Sequence, residues 1–205
     1  MSEKKKDAVS VRKEKVNNLI KEMEESGYSL IDLSVDGSKA NIMSLFTGLV
    51  PSLIFIGLFI ILYGWEKFIQ LKFDLMMICF IVSIVIHEGI HGLFFGIFAK
   101  NHFKSIEFGI VWKSLNPYCY CSEPVNKAQY MTALLMPGTI LGVCTGIIAL
   151  LIGNGTLVGF SALSFFAAGG DIYIAYLILK NAKKRKEEYY IDHPIKPGVL
   201  VLVKE

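Results

Sequence analysis

No lysine, arginine, aspartate or glutamate occurs between Ala40 and Trp65, and none between Ala128 and Gly170. An uncharged apolar run of about 18 residues or more is a candidate membrane span. These two runs therefore point to an integral membrane protein rather than a soluble or disordered one. Their weight shows in the composition: 53% hydrophobic residues and a mean hydropathy of +0.50 over 205 residues, against roughly 45–50% in soluble domains. A formal charge of +3 is too small for a phosphate-binding surface, so nucleic acid is not an expected partner.

The fold expected is an all-α membrane protein with four spans. The first covers about Ile42–Gly64, with Pro51 inside it; a proline is tolerable in a membrane helix. The second covers about Phe73–Ala99. The long second run exceeds one span and breaks at the turn-forming Gly153-Asn154-Gly155-Thr156, giving about Tyr130–Ile152 and Leu157–Leu179. A charged N-terminal segment (1–40) and tail (181–205) flank this 41–180 core. Nineteen of the 21 basic residues fall in the N-terminal segment, the second loop and the tail, and two, Lys67 and Lys72, in the first loop. By the positive-inside rule both termini and the second loop are cytoplasmic.

The N-terminal segment carries a weak apolar stripe (Val9, Val16, Ile20, Met23) and reads as a solvated or membrane-surface helix. No short apolar signal-peptide core precedes the first span. The basic cluster Lys180–Lys186 suits an electrostatic anchor to anionic lipid. In the second loop, Ile106, Phe108 and Ile110 alternate with small or polar residues, and Tyr118–Cys121 follow Asn116-Pro117. That alternation predicts a β-hairpin lying on, or dipping into, the cytoplasmic face. Cys119 and Cys121 form a C-x-C pair and read as structural thiols.

The second span carries the chemistry. His87-Glu88-Gly89-Ile90-His91 is an H-E-x-x-H sequence, and on a helix residues four apart share a face about 5–6 Å apart. Both imidazoles can then reach one metal ion, for which Zn2+ is the natural candidate, although affinity order alone does not separate it from other divalent ions. Glu88 is placed to act as general base and acid on a water molecule and a leaving amine. Ionisable groups inside a span cost at least about 2.5–3.5 kcal/mol each and are usually functional.

A catalytic zinc site uses three protein ligands and an open position. Asp171 is the only acidic residue between Glu123 and Glu187. At 1.5 Å per residue it lies about 22 Å into its span, level with His87 and His91 at about 20–26 Å. Asp171 is thus the expected third ligand, with Glu123 in the second loop as the alternative. Ser164, Ala167, Ala168 and Ala175 share its face, and Gly138, Gly142 and Gly146 recur every four residues in the third span; both are stripes that permit close helix approach. Asn116 is a candidate for positioning a substrate peptide or an oxyanion.

The intramembrane H-E-G-I-H, the later Asp171 and the semi-apolar loop between them resemble the site-2 protease class of intramembrane zinc metalloproteases. Together with Asn116–Pro124 (NPYCYCSEP) and Gly170-Asp171, they are more closely similar to a small uncharacterised bacterial family of membrane zincin peptidases, over roughly residues 40–180. The resemblance implies a zinc-dependent peptidase acting on membrane or membrane-adjacent substrates. In it His87 and His91 match the metal-binding histidines, Glu88 the catalytic acid/base and Asp171 the third ligand. One residue departs from the site-2 pattern: Ile172 follows Asp171 where those proteases usually have glycine.

Two other readings use the same residues. A non-enzymatic metal carrier or sensor needs His87, His91 and Asp171 but not Glu88, and a structural protein uses the cluster for interhelical hydrogen bonds alone. Substrate identity and oligomeric state are not legible in the sequence.

Overall fold

The computed structural model describes residues 3–111 and 116–204, with residues 3–8 and Asn116 described by their backbone alone. In chain order, helix α1 (Glu3–Glu25) leads through strand β1 (Ser29–Asp32) into the long helix α2 (Gly37–Tyr63). Asp36 caps α2 by accepting from the Ser38 N–H at 2.9 Å, and Pro51 sits inside the helix without ending it. A short helix α3 (Trp65–Ile69) precedes α4 (Phe73–Phe98). Strands β2 (Ile106–Val111) and β3 (Asn116–Cys121) follow, then β4 (Val125–Asn126) and α5 (Lys127–Pro137). A π-helical turn at Gly138–Cys144 continues α5 into α6 (Thr145–Ile152). The chain ends with α7 (Gly155–Ala167), α8 (Gly169–Lys180) and strands β5 (Glu187–Asp192) and β6 (Val199–Lys204).

Three helical stretches are long and apolar enough to cross a membrane: Gly37–Tyr63, Phe73–Phe98 and Lys127–Ile152. The expected fourth span is not one straight helix. Helices α7 and α8 meet at a 52° bend at Ala168, so the stripe of Ser164, Ala167, Ala168 and Ala175 does not form a single ridge. The bend is held from α2, where the Thr47 hydroxyl donates to the Gly169 carbonyl at 2.6 Å. The glycines of the third span do pack closely on α7: Ser161 Oγ donates to the Gly142 carbonyl at 2.7 Å.

The all-α expectation is corrected by two antiparallel sheets. The β2–β3 hairpin is present, with Phe108 opposite Cys119; its turn at 112–115 lies outside the described residues. The second sheet has the order β1-β6-β5-β4 and joins the N-terminal segment, the end of the second loop and the tail. Strand side chains alternate between faces, and β6 (VLVLVK) is apolar on both. Val199, Val201 and Val203 enter the main core with Phe95, Tyr130, Leu134 and Ile178. Leu200 points the other way, onto Val16 of α1 and Ile191. Helix α1 is therefore not a free surface helix: Val16, 2% exposed, docks it on the sheet. Both faces of β6 are covered, one by helices α4, α5 and α8 and the other by α1.

The segments that the lysine distribution groups on one side are thus joined in one layer. The first and third loops meet each other elsewhere: the Lys72 N–H donates to Thr156 Oγ1 at 2.9 Å.

Candidate metal centre

Positions 83, 87, 91 and 95 form one buried stripe of α4, as a repeat of four on a helix requires. His87 and His91 occupy its middle, each 6% exposed, with ring centroids 4.9 Å apart and planes at 76°. Both Nε2 atoms converge on one carboxylate oxygen, Asp171 Oδ2, at 3.1 Å from His87 and 3.4 Å from His91. The ligand atoms of the three residues all lie within 4.8 Å of one another, the only such group among the described residues.

The bend between α7 and α8 delivers Asp171. Because a new helix starts at Gly169, Asp171 falls in its first turn, where unpaired N–H groups favour a carboxylate. Gly169 packs so closely on α2 that an added Cβ would overlap the Ser44 carbonyl.

His91 has a second partner. Its Nδ1 lies 2.9 Å from the Ala133 carbonyl oxygen. A carbonyl only accepts, so Nδ1 carries a proton, and this bond holds the ring with Nε2 turned towards the Asp171 carboxylate. This orientation by a second partner is the usual support of a metal-binding imidazole. Two imidazole nitrogens and a carboxylate oxygen, largely buried and so oriented, fit a zinc ion with a further position left for a small oxygen donor.

Glu88 lies between the two histidines in sequence and accepts a hydrogen bond from the backbone N–H of Cys119 on β3. Two residues along, the Cys121 N–H donates to Asp192 Oδ2 at 2.8 Å. The outer edge of β3 thus offers alternate N–H groups to two carboxylates, one of them at the centre. The hairpin is seated by Phe108, whose ring occupies the space over Gly92. From the other side, Arg12 of α1 bonds Glu107 at 2.7 Å and the Tyr118 hydroxyl at 3.0 Å. Its guanidinium also lies 5.1 and 4.7 Å from the ring centroids of Tyr118 and Tyr120.

The alternative third ligand, Glu123, is not part of the group. It accepts instead from the Asn101 backbone at 3.1 Å and from the Asn101 side-chain amide, closing the loop after α4. Cys119 and Cys121 are free thiols outside the group. Burial raises both, Cys121 to about 12. The Asn116 backbone pairs with Val111; its side chain lies outside the described residues.

Sequence reasoning missed Ala133, Asp192 and Arg12. Ala133 had a legible signal: Pro137 inside an apolar span leaves the carbonyl four residues earlier without its helical donor. Asp192 and Arg12 carried none, because their partners are 62 or more positions away.

A family model described as "Putative zincin peptidase" matches residues 80–185, a stretch that holds both histidines, Glu88, the hairpin, Pro137 and Asp171. Zinc is the cofactor that this family and the three-residue donor group both indicate. Neither a curated protein nor a solved structure matches the chain.

Proposed function

Because the chain belongs to this zincin-peptidase family, we propose that it is a membrane-embedded zinc metallopeptidase of the site-2 protease type. It hydrolyses peptide bonds of membrane or membrane-adjacent substrates. The observation that carries this reading is the convergence of His87, His91 and Asp171 within 4.8 Å, with Glu88 on the same turn of α4.

In this reading His87, His91 and Asp171 hold the ion. Bound there, zinc supplies Lewis acidity, polarising a carbonyl and acidifying water. Glu88 takes a proton from water and returns it to the leaving amine. The surrounding apolar helices keep bulk water away, which strengthens the electrostatic interactions at the site.

The chain crosses the membrane four times, the bent α7–α8 pair making the fourth crossing, with both termini and the hairpin on the cytoplasmic side. The outer edge of β3 receives an extended substrate by strand addition. An added strand competes for the Cys119 N–H that Glu88 now holds, which frees the carboxylate for proton transfer. Asn116 sits at the open end of that edge and helps to position the peptide.

The test is Glu88→Gln. The variant is expected to bind zinc with wild-type stoichiometry and to lose cleavage of a membrane substrate. Equal cleavage by both proteins removes the enzymatic reading, and metal-dependent transport that survives the substitution establishes a carrier.

A further inference from the structure

The Ala133 carbonyl that orients His91 is available for a reason written four helical positions beyond it. In a regular helix the carbonyl of residue 133 accepts from the N–H of residue 137. Residue 137 is proline, which has no N–H and whose ring pushes the carbonyl four residues back off the helix axis. The next donor along, the Gly138 N–H, goes to the Leu135 carbonyl. The Ala133 oxygen is therefore left in a fully buried place (Ala133 is 0% exposed), where an unsatisfied carbonyl costs about 1–3 kcal/mol. His91 Nδ1 reaches it, at 2.9 Å.

We infer that Pro137 is a positioning residue of the metal centre: by withholding an N–H, it reserves the Ala133 carbonyl for His91 and so fixes the ring orientation that turns Nε2 towards Asp171. The inference rests on the proposed zinc site for its purpose, but the hydrogen bond itself exists without metal. Pro137 touches neither zinc nor substrate; it acts through the carbonyl of another residue. A proline that only bent the third span would leave the state of His91 indifferent to the N–H.

The experiment separates the two roles. In Pro137→Ala the restored N–H takes the Ala133 carbonyl. Zinc affinity, measured by chelator competition, is expected to fall by about 10–100-fold, the range for loss of an outer partner of a metal ligand. In the metal-free protein, the Nδ1–H proton of His91, assigned in 15N spectra with His91→Gln, is expected to be protected from exchange with water in the wild type and to lose that protection in Pro137→Ala. Replacing residue 137 by the α-hydroxy analogue of alanine removes both the ring and the N–H, and is expected to restore the wild-type affinity and protection. Unchanged affinity and unchanged His91 protection in Pro137→Ala overturn the inference. So does an α-hydroxy variant as impaired as the alanine one, since the ring would then be what matters. If Pro137→Ala does not fold, the α-hydroxy variant decides alone. Wild-type protein that binds no zinc ends the peptidase reading, while the metal-free spectra still decide the role of Pro137.

Discussion

The Tyr130 hydroxyl donates to Asp192 Oδ1 at 2.7 Å, tying the start of the third span to the last residue of β5. The other oxygen of the same carboxylate accepts from the Cys121 N–H at 2.8 Å. One buried acid of the tail thus joins the hairpin, the sheet and helix α5 beside the metal centre. A hydrogen bond to a charged acceptor contributes about 1.5–3 kcal/mol, so Tyr130→Phe is expected to lower unfolding free energy by about that amount in denaturant titrations. Burial raises the Asp192 carboxyl above its ordinary 3.8, against the lowering effect of its two donors. Between the ordinary and the raised value, the native protein therefore holds a proton that the unfolded chain has already released. Stability falls as pH rises from about 3.8 through the raised native value, and Asp192→Asn is expected to flatten that slope.

The bend that aims Asp171 depends on close approach of α8 to α2. Gly169→Ala puts a methyl group on the Ser44 carbonyl, whereas at Gly170 the added Cβ would lie 3.4 Å from Ser44 Oγ, an ordinary contact. Gly169→Ala is expected to cost about 1–3 kcal/mol through overpacking and to weaken zinc binding as Asp171 shifts. Gly170→Ala is expected to retain wild-type affinity. Equal affinities in the two variants would remove the link between the bend and the site.

Metal content tests the donor set directly. Purified wild type is expected to hold one zinc per chain, and His87→Ala and Asp171→Ala far less, by elemental analysis after dialysis. Glu123→Ala, outside the group, is expected to keep its metal.

The guanidinium of Arg12 ties helix α1 to the hairpin. Arg12→Ala removes the bonds to Glu107 and Tyr118 and the stacking on Tyr118 and Tyr120. Hydrogen exchange of β3 amides is expected to accelerate while β5 and β6 stay protected. Arg12→Lys is expected to rescue little, since an ammonium has neither the fork nor the flat face of a guanidinium.

The hairpin thiols are expected to resist alkylation. With Cys121 raised to about 12, only about one part in ten thousand is thiolate at pH 8, and the thiolate is the reacting species. Maleimide labelling of Cys119 and Cys121 should be slow at pH 8 in the folded protein and fast after denaturation. Rapid labelling of the native hairpin would contradict the buried placement of β3.

The membrane helices and the centre were legible because their signals are local. Absence of charge over a span length marks a helix, and a spacing of four puts His87 and His91 on one face. The meeting with Asp171, 80 positions on, was expected from equal helical rise along two spans, and the three side chains do group, although through a bent helix pair rather than a straight one. The hairpin showed in its alternation. What the sequence did not disclose was set by partners distant along the chain. The VLVLV strand could have paired with anything until β1 and β5 took its edges and α1 and helices α4, α5 and α8 its two faces, so the tail and N-terminal segment read as charged flanks. The bend at Ala168 arises where the α2 backbone meets Gly169, and packing brought Asp171 rather than Glu123 beside the two histidines, Glu123 bonding Asn101 instead. Local pattern determined which elements form and which side chains share a face; packing, which pairs residues regardless of separation, decided which surfaces meet.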